Sequence, residues 1–349
     1  MVLFSSAPKS LCILRLSAIG DVCNTIAMVQ AIQRQWPSTK ITWITGKVEA
    51  KLIEGLPGID TVVFDKQQGW RGYTRLWQQL RGERFDALLH LQTALRASIA
   101  TLGIRARYKL GFDAERASDL QQFFTNTKVP SPPSTHVLDG FMQFAATLGV
   151  RDLTPSWHIP LDEADKLWAS QHRAHDKVLV ITPAASKAYK NWTAEGYAVL
   201  ANHAHQQGFQ VVLAGSPAAI EVELGQAIEQ QVDFPITNLI GQSSLKQMLA
   251  LLAQATLVCA PDTGPAHMAV AVGTPVLGLY AHHNPKRTGP YRYLPYVVSV
   301  YDECIQAETG KAPSELAWRT RVKDEAAMAN ITSDQVITMF NQLCQDLNR

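Results

Sequence analysis

The 349-residue chain lacks the motifs of several common enzyme classes that bind nucleotides or use a nucleophilic serine. It has no G-x-G, which excludes the dinucleotide fingerprint, because that fold needs glycine backbone beside the pyrophosphate. It has no G-x-x-x-x-G-K-[ST], so it is not a P-loop NTPase. It also lacks G-x-S-x-G, the turn that presents a hydrolase serine. The absence of D-x-D removes the usual means by which sugar transferases hold a metal diphosphate.

The chain also lacks closely spaced cysteines, a strong net charge and a long apolar run. None of its five cysteines forms C-x-x-C, so neither a zinc knuckle nor a redox motif is indicated, and a reducing compartment is favoured. The formal net charge of +2 gives no global attraction to nucleic acid. No apolar run approaches the ~20 residues of a membrane span, and the first ten residues do not resemble a signal peptide. We therefore expect a cytoplasmic protein without a transmembrane segment or a nucleic-acid partner.

Short apolar segments alternate with helix-length segments along the whole chain, which predicts βαβ units and parallel sheets. The predicted strands are 11–16, 41–45, 61–64, 87–91, 108–111, 178–182, 210–214, 238–240, 257–259 and 276–279. Proline-rich segments at 129–134 and 154–162 interrupt the pattern, which then restarts. We predict two Rossmann-like domains, 1–158 and 159–330. Residues 331–349 form a final helix that could pack on either domain, including a return to the N-terminal one.

The segment Ala260–His267 reads APDTGPAH and stands between an apolar strand and a short helix. Asp262 and Thr263 are typical helix-cap residues, Gly264 allows close approach to the backbone, and Pro265 suits a first helical turn. The free N–H groups at such a helix start favour a phosphate. The alternative is a well-capped buried helix with no ligand. Because capping alone does not explain the glycine together with His267, we favour phosphate binding.

Three other loops follow predicted strands and carry candidate residues. Leu14–Asp21 leaves the first strand, and Asp21 is either a general base or simply the cap of the following helix. Ser186, Lys187 and Lys190 follow the strand 178–182 and suit a diphosphate, because lysine supplies a point charge and serine a donor. Two glutamates, Glu221 and Glu223, follow the strand 210–214, and either could hold a ribose diol.

These segments together resemble a known family. LRLSAIGD at Leu14–Asp21, KNW at Lys190–Trp192 and DTGPAH at Asp262–His267 look like the ADP-heptose:lipopolysaccharide heptosyltransferases, glycosyltransferase family nine. The resemblance runs to about Tyr291. It implies an α/β fold of the GT-B type, with two Rossmann-like domains facing each other across a cleft. It also implies an inverting transfer, without metal or cofactor, from ADP-heptose to a lipopolysaccharide core acceptor at the inner membrane surface.

The resemblance also assigns roles to single residues. Asp21 matches the catalytic base. The donor-binding residues are Ser186, Lys190, Glu221, Asp262, Thr263, Gly264, Pro265 and His267, with Glu223 as an alternative to Glu221. On the acceptor side we expect Arg15, Ser17, Gly20, Arg96 and Arg116. The basic residues of this set could steer a phosphorylated or carboxylated acceptor.

Three other functions remain open from the sequence. A GT-B epimerase, or a transferase using another nucleotide sugar, would share the phosphate-binding features. A non-catalytic sugar-nucleotide binder is disfavoured by the presence of both Asp21 and Lys190. A two-domain periplasmic binding protein is disfavoured by the missing signal peptide.

Overall fold

The computed structural model describes residues 2–347, which form two compact α/β units. The first unit ends at Pro160 and the second begins at Leu161, two residues beyond the predicted boundary. No helix within the described part of the chain is long and apolar enough to cross a membrane.

The first unit alternates strands and helices around one six-stranded parallel sheet. In chain order its elements are β1 (Ser10–Leu14), α1 (Ile19–Gln35), β2 (Lys40–Thr45), α2 (Lys47–Ile53), β3 (Ile59–Val63), α3 (Trp70–Gln79), β4 (Phe85–His90), α4 (Leu95–Ala100), β5 (Ala106–Phe112), β6 (Thr127–Val129) and α5 (Val137–Leu148). The strand order is β3-β2-β1-β4-β5-β6.

The second unit repeats this plan. Its elements are α6 (Glu163–Gln171), β7 (Val178–Ile181), α7 (Ala194–Gln206), β8 (Gln210–Leu213), α8 (Ala219–Glu229), β9 (Thr237–Asn238), α9 (Leu245–Gln254), β10 (Leu257–Pro261), α10 (Gly264–Val272), β11 (Val276–Tyr280), α11 (Pro285–Thr288), β12 (Val297–Ser299), α12 (Tyr301–Thr309) and α13 (Ser333–Leu347). The strand order β9-β8-β7-β10-β11-β12 is the same Rossmann arrangement.

The central strands are apolar because helices cover both faces of each sheet. Leu11 in β1 pairs with Ile41 in β2 on one side and Ala87 in β4 on the other, and all three are almost fully buried. Cys12 and Cys259 are buried in β1 and β10, as expected for small core residues, and burial raises the pKa of both thiols. The expectation of two Rossmann-like domains is confirmed.

Two details differ from the sequence predictions. The short strands β6 and β12 were not predicted, and Val129, which we placed in a turn-rich segment, ends β6. The last helix, α13, buries Val336, Phe340 and Leu343 in the core of the second unit, on α7 and β12. The apolar face of α13 is therefore used in the second unit; residues 348–349 of the predicted segment lie outside the described residues.

Both sheets have a switch point, where the strand order reverses. In the first sheet it lies between β1 and β4, and in the second between β7 and β10. Ligands of open α/β sheets bind at the carboxyl ends of the strands at such points. The loops after these four strands are therefore where each unit is expected to place functional side chains.

Candidate active site

Asp21 lies in the first turn of α1, and a buried arginine holds its carboxylate. Arg15, just after β1, forms an ion pair with Asp21 and donates a hydrogen bond of 2.5 Å to the carbonyl of Leu91. Its guanidinium also lies 5.4 Å from the centre of the Phe141 ring. The side chain of Arg15 is 11% exposed and that of Asp21 32%. The arginine therefore fixes a carboxylate that solvent, or a substrate hydroxyl, can still reach.

The helix itself does not need Asp21 as a cap. The N-cap position of α1 is Ala18, and no side chain caps it. The alternative interpretation of Asp21 as a cap residue is therefore wrong, because its position is inside the first turn and its carboxylate is turned to Arg15. The carboxylate still benefits from the partial positive charge of the helix start.

Two glutamines, which the sequence analysis did not single out, bond backbone at the carboxyl edge of the first sheet: Gln92 holds the loop after β1, and Gln121 holds the end of β4. Gln92, just after β4, accepts a 2.8 Å hydrogen bond from the backbone of Leu16 and donates one of 3.3 Å to the hydroxyl of Ser17. Gln121 is buried and donates to the carbonyl of His90 over 2.9 Å. Gln92 directly follows a predicted strand, whereas Gln121 has no signal of its own in the sequence.

In the second unit, Lys190, Asp262 and His283 form one charged cluster. Lys190 Nζ lies 2.8 Å from Asp262 Oδ2, and His283 Nδ1 lies 2.5 Å from the same oxygen. Burial alone would raise the pKa of Asp262, but the hydrogen bond with His283 and the charge of Lys190 hold it well below its usual range. Since an ammonium has three donors, Lys190 can bind Asp262 and an anion together. The sequence analysis did not single out His283.

Each member of this cluster follows a different strand of the second sheet. Lys190 ends a short 3-10 helix after β7, Asp262 follows β10 and His283 follows β11. Two neighbours anchor the loop that carries Lys190: Asn191 accepts a 2.7 Å hydrogen bond from Ala185, and the buried Trp192 donates one of 2.9 Å to the carbonyl of Ile331. The KNW motif thus fixes the lysine at the carboxyl edge.

The start of α10 has the features of an anion site. Thr263 is its N-cap but makes no side-chain cap bond, and Pro265 occupies the first turn after Gly264, with His267 following in the helix. The hydroxyls of Thr263 and Thr182 are buried without a hydrogen-bond partner among the described atoms. Because an unpaired buried hydroxyl is costly, both are suited to a ligand that accepts hydrogen bonds. The N–H groups in the first turn of α10, which have no partner within the helix, add to this preference.

The structure distinguishes the two candidate glutamates. The carboxylate of Glu221 accepts hydrogen bonds from the backbone and the hydroxyl of Ser216, at 2.7 Å and 2.5 Å, and so lies against the loop after β8. Glu223 is exposed on α8. Of the two, Glu221 is therefore the residue at the sheet edge. Ser186 is exposed in the loop after β7.

Among the predicted acceptor residues, burial separates two groups. Arg96 is exposed on α4, and Ser17 and Gly20 lie in the loop and first turn after β1. Arg116 is only 3% exposed and donates a 2.8 Å hydrogen bond to the carbonyl of Ser134. Such a guanidinium supports the surrounding loops and is poorly placed to steer an acceptor from solvent. Within residues 2–347, no group of three or more His, Cys, Asp or Glu side chains could share a metal ion.

Comparison with known proteins identifies the family. The sequence model of glycosyltransferase family 9 (heptosyltransferase) matches residues 73–318. The chain is 48% identical over 344 residues to the lipopolysaccharide core heptosyltransferase OpsX of Haemophilus influenzae, covering 98% of this chain and 99% of that protein. It is 23% identical over 279 residues to the lipopolysaccharide heptosyltransferase 3 of Escherichia coli, covering 75% and 79%.

A solved structure supports the fold. The chain superposes on a glycosyl transferase family 9 protein from Veillonella parvula with a TM-score of 0.79 at 22% identity, covering 97% of both chains. Together with the two Rossmann-like sheets, this likeness confirms the GT-B fold. The chain belongs to glycosyltransferase family 9, the heptosyltransferases, and is a glycosyltransferase of the GT-B fold.

Proposed function

We propose that this enzyme transfers heptose from ADP-heptose to the inner core of lipopolysaccharide, with inversion at the anomeric carbon. The sequence similarity to a lipopolysaccharide core heptosyltransferase over nearly the full length of both chains supports this substrate class. The single observation that carries the chemistry is the pair of sites at the two switch points: the Arg15–Asp21 pair in one unit and the Lys190–Asp262–His283 cluster in the other.

In this proposal Asp21 is the general base. It takes the proton of the acceptor hydroxyl as that oxygen forms its bond to the anomeric carbon. Arg15 keeps the carboxylate in position and is thereby a positioning residue, whereas the sequence analysis expected it to bind acceptor. A single displacement, in which the bond to the ADP oxygen breaks as the new bond forms, inverts the anomeric configuration.

The second unit supplies the charge that the leaving diphosphate needs. Lys190 provides an ammonium, and Thr263, Gly264 and the free N–H groups of α10 provide donors, with Ser186 at the edge of the same loop system. Asp262 orients Lys190 and His283. These positive groups can offset the charge of the leaving diphosphate without a metal ion, so we propose a metal-independent transfer.

The remaining predicted residues have subsidiary roles. Glu221 would bind the nucleoside sugar, since a carboxylate accepts hydrogen bonds from two hydroxyls. Pro265 and His267 shape the donor loop of α10. Ser17, Gly20 and the exposed Arg96 would face the acceptor. We place the enzyme at the cytoplasmic side of the inner membrane, where a lipid-anchored acceptor would be reached peripherally.

Mass spectrometry tests the proposal. The purified protein is incubated with ADP-heptose and a truncated core acceptor, and the product is expected to gain one heptose while ADP accumulates in equal amount. The anomeric configuration of the product, read by NMR, is expected to be opposite to that of the donor.

Other outcomes would identify another function. Turnover only with a different nucleotide sugar would change the donor, and isomerisation of the sugar nucleotide without acceptor would indicate an epimerase. ADP binding without any product would indicate a non-catalytic binder.

A further inference from the structure

Five large exposed apolar side chains of the first unit lie in connections after successive strands of its sheet. Val48, Trp70 and Leu95 each lie in the first turn of the helix that follows β2, β3 or β4, and Leu120 and Phe123 lie between β5 and β6. The strands are parallel, so the three helix starts lie at the carboxyl edge, and Gln121, between Leu120 and Phe123, bonds the carbonyl of His90 at the end of β4. Trp70 is 63% exposed and Phe123 74%. We call these five residues the apolar rim; Asp21 follows β1 at the same edge.

The described part of the second unit, up to residue 347, has the same topology but no such rim. The loops after β7, β8, β10 and β11 present Ser186, Ser216, Asp262 and His283. The large exposed apolar side chains described in that unit are Leu167, Val199 and Leu347, and none of them lies in the first turn of a helix that follows a strand. The apolar rim is therefore a property of this sequence and not of the fold, because the fold repeats without it.

The rim is held outward by packing underneath it. The ring of Trp70 lies 5.5 Å from those of Tyr73 and Trp77, and Trp77 donates a 2.9 Å hydrogen bond to the carbonyl of Ala100. Leu120 has a left-handed backbone with φ of 63° and precedes the buried Gln121, which is anchored to β4. These contacts keep apolar side chains exposed to solvent, which is unfavourable compared with burying them in a core.

Basic residues stand directly beside three of the rim residues. Lys47 precedes Val48, Arg71 follows Trp70, and Arg96 follows Leu95 in the sequence. All three basic side chains are exposed, and no ion pair to them is found in the part of the chain that the structure describes. The region of the rim near Leu120 carries Asp119 instead. The positive charge is thus concentrated beside the rim residues that follow β2, β3 and β4.

We infer that the apolar rim docks on the surface of an anionic lipid bilayer. Exposed tryptophan and phenylalanine next to lysine and arginine are the combination that binds such an interface, through burial of apolar area and attraction to lipid headgroups. The inference rests on the proposed function in one respect: a lipid-anchored acceptor would then leave the bilayer at the edge that carries Asp21. Binding of the bilayer itself requires no acceptor.

Vesicle flotation with the full chain tests the docking. Vesicles of phosphatidylethanolamine with phosphatidylglycerol are compared with neutral phosphatidylcholine vesicles, all without acceptor. Binding is expected to the anionic vesicles, and 0.5 M salt should release much of the protein because it screens the headgroup charge. Arg71→Gln should lower the partition coefficient about fivefold, the usual contribution of one basic residue near the surface. Trp70→Gln and Phe123→Gln should lower it severalfold each.

Matched variants separate docking from general surface effects. Leu102→Gln and Leu167→Gln remove exposed leucines outside the rim, and Arg105→Gln removes an exposed arginine before β5; all three should bind vesicles as the parent does. Failure of the parent to bind anionic vesicles, or equal losses in rim and control variants, would overturn the inference.

A transfer assay keeps the two proposals apart. With a delipidated, water-soluble acceptor, Trp70→Gln should transfer heptose at the parent rate, but with vesicle-bound acceptor it should be slower. Vesicle binding without any heptose transfer would leave the docking intact and remove the proposed function. Heptose transfer without vesicle binding would support the proposed function and overturn the docking.

Discussion

Asp21 owes its orientation to one buried arginine, and this makes its catalytic role separable from its structural one. Asn is nearly the same shape, so Asp21→Asn removes the proton acceptor and leaves the fold almost unchanged. Since general-base catalysis contributes about 10²–10⁴-fold, turnover should fall by that factor. The ADP affinity should hold, because the proposed diphosphate contacts lie in the second unit. Steady-state kinetics, thermal unfolding and ADP titration on one preparation measure all three.

A matched control measures the effect of removing an acidic charge from the first turn of a helix, apart from any catalytic role. Asp334 is also an acidic residue in the first turn of a helix, and it is exposed on α13. Asp334→Asn should change turnover very little. Near-normal turnover in a stable Asp21→Asn protein would remove Asp21 from the mechanism.

Lys190 differs in burial from its neighbour Lys187, and this difference favours Lys190 as the diphosphate ligand. Lys190 is partly buried against Asp262, whereas Lys187 is exposed in the same loop. Loss of a charge-assisted contact to a diphosphate costs about 1.5–3 kcal/mol, so Lys190→Ala should weaken ADP binding by about 10- to 150-fold. Calorimetric titration of both alanine variants measures this. If Lys187→Ala is the weaker binder, the diphosphate role belongs to Lys187.

At the scale of elements, the strand β4 carries a buried histidine that couples stability to pH. Desolvation, together with the charges of Arg15 and Lys109, lowers the pKa of His90 from its usual 6.5 to about 3. Below about pH 6.5, His90 therefore binds a proton in the unfolded chain but stays neutral in the folded chain. The stability that neutral His90 provides is complete above pH 6.5 and is lost as the pH falls towards 3, by at most ~1.4 kcal/mol per pH unit.

His90→Gln tests this coupling, because glutamine can bond the Ser98 hydroxyl, as His90 does over 3.0 Å, but does not titrate. Between pH 6.5 and 5 the parent should lose about 1–2 kcal/mol more unfolding free energy than the variant. Urea unfolding at several pH values measures the difference, and the exposed His175→Gln serves as the control. Parallel pH profiles for parent and His90→Gln would contradict the assignment.

The central elements could be predicted from sequence because buried parallel strands are continuous apolar runs. The edge strands β6 and β12 could not, since three residues such as Thr127–Val129 carry too little pattern. The motif residues Asp21, Lys190 and Asp262 were found because they follow strands directly. Gln121 was missed, because an amide that bonds backbone carbonyls has no sequence signature. The burial of Arg116 depends on tertiary contacts such as its hydrogen bond to Ser134, which local sequence does not indicate.

For the whole molecule, the proposed chemistry distributes positive charge over protein groups and calls for no metal. Transfer should therefore continue in excess EDTA at close to the rate in magnesium buffer, because Lys190 and the N–H groups of α10 are already in place. The initial rate of ADP release in both buffers is the measurement. Loss of activity in EDTA that manganese or magnesium restores would contradict the metal-independent mechanism.

The division into two units also predicts where ADP acts. Each unit has its own apolar core, and the proposed contacts of ADP with Lys190, Glu221 and the start of α10 all lie in the second. Because a ligand at 100 times its Kd stabilises the state that binds it by about 2.7 kcal/mol, ADP should slow local opening there. Hydrogen exchange with mass spectrometry should show protection in residues 183–191 and 261–267. A similar decrease in hydrogen exchange across residues 15–21 would contradict the assignment of the nucleotide to the second unit. Lys190→Ala should weaken the protection of the second unit at the same ADP concentration, because it binds ADP less tightly.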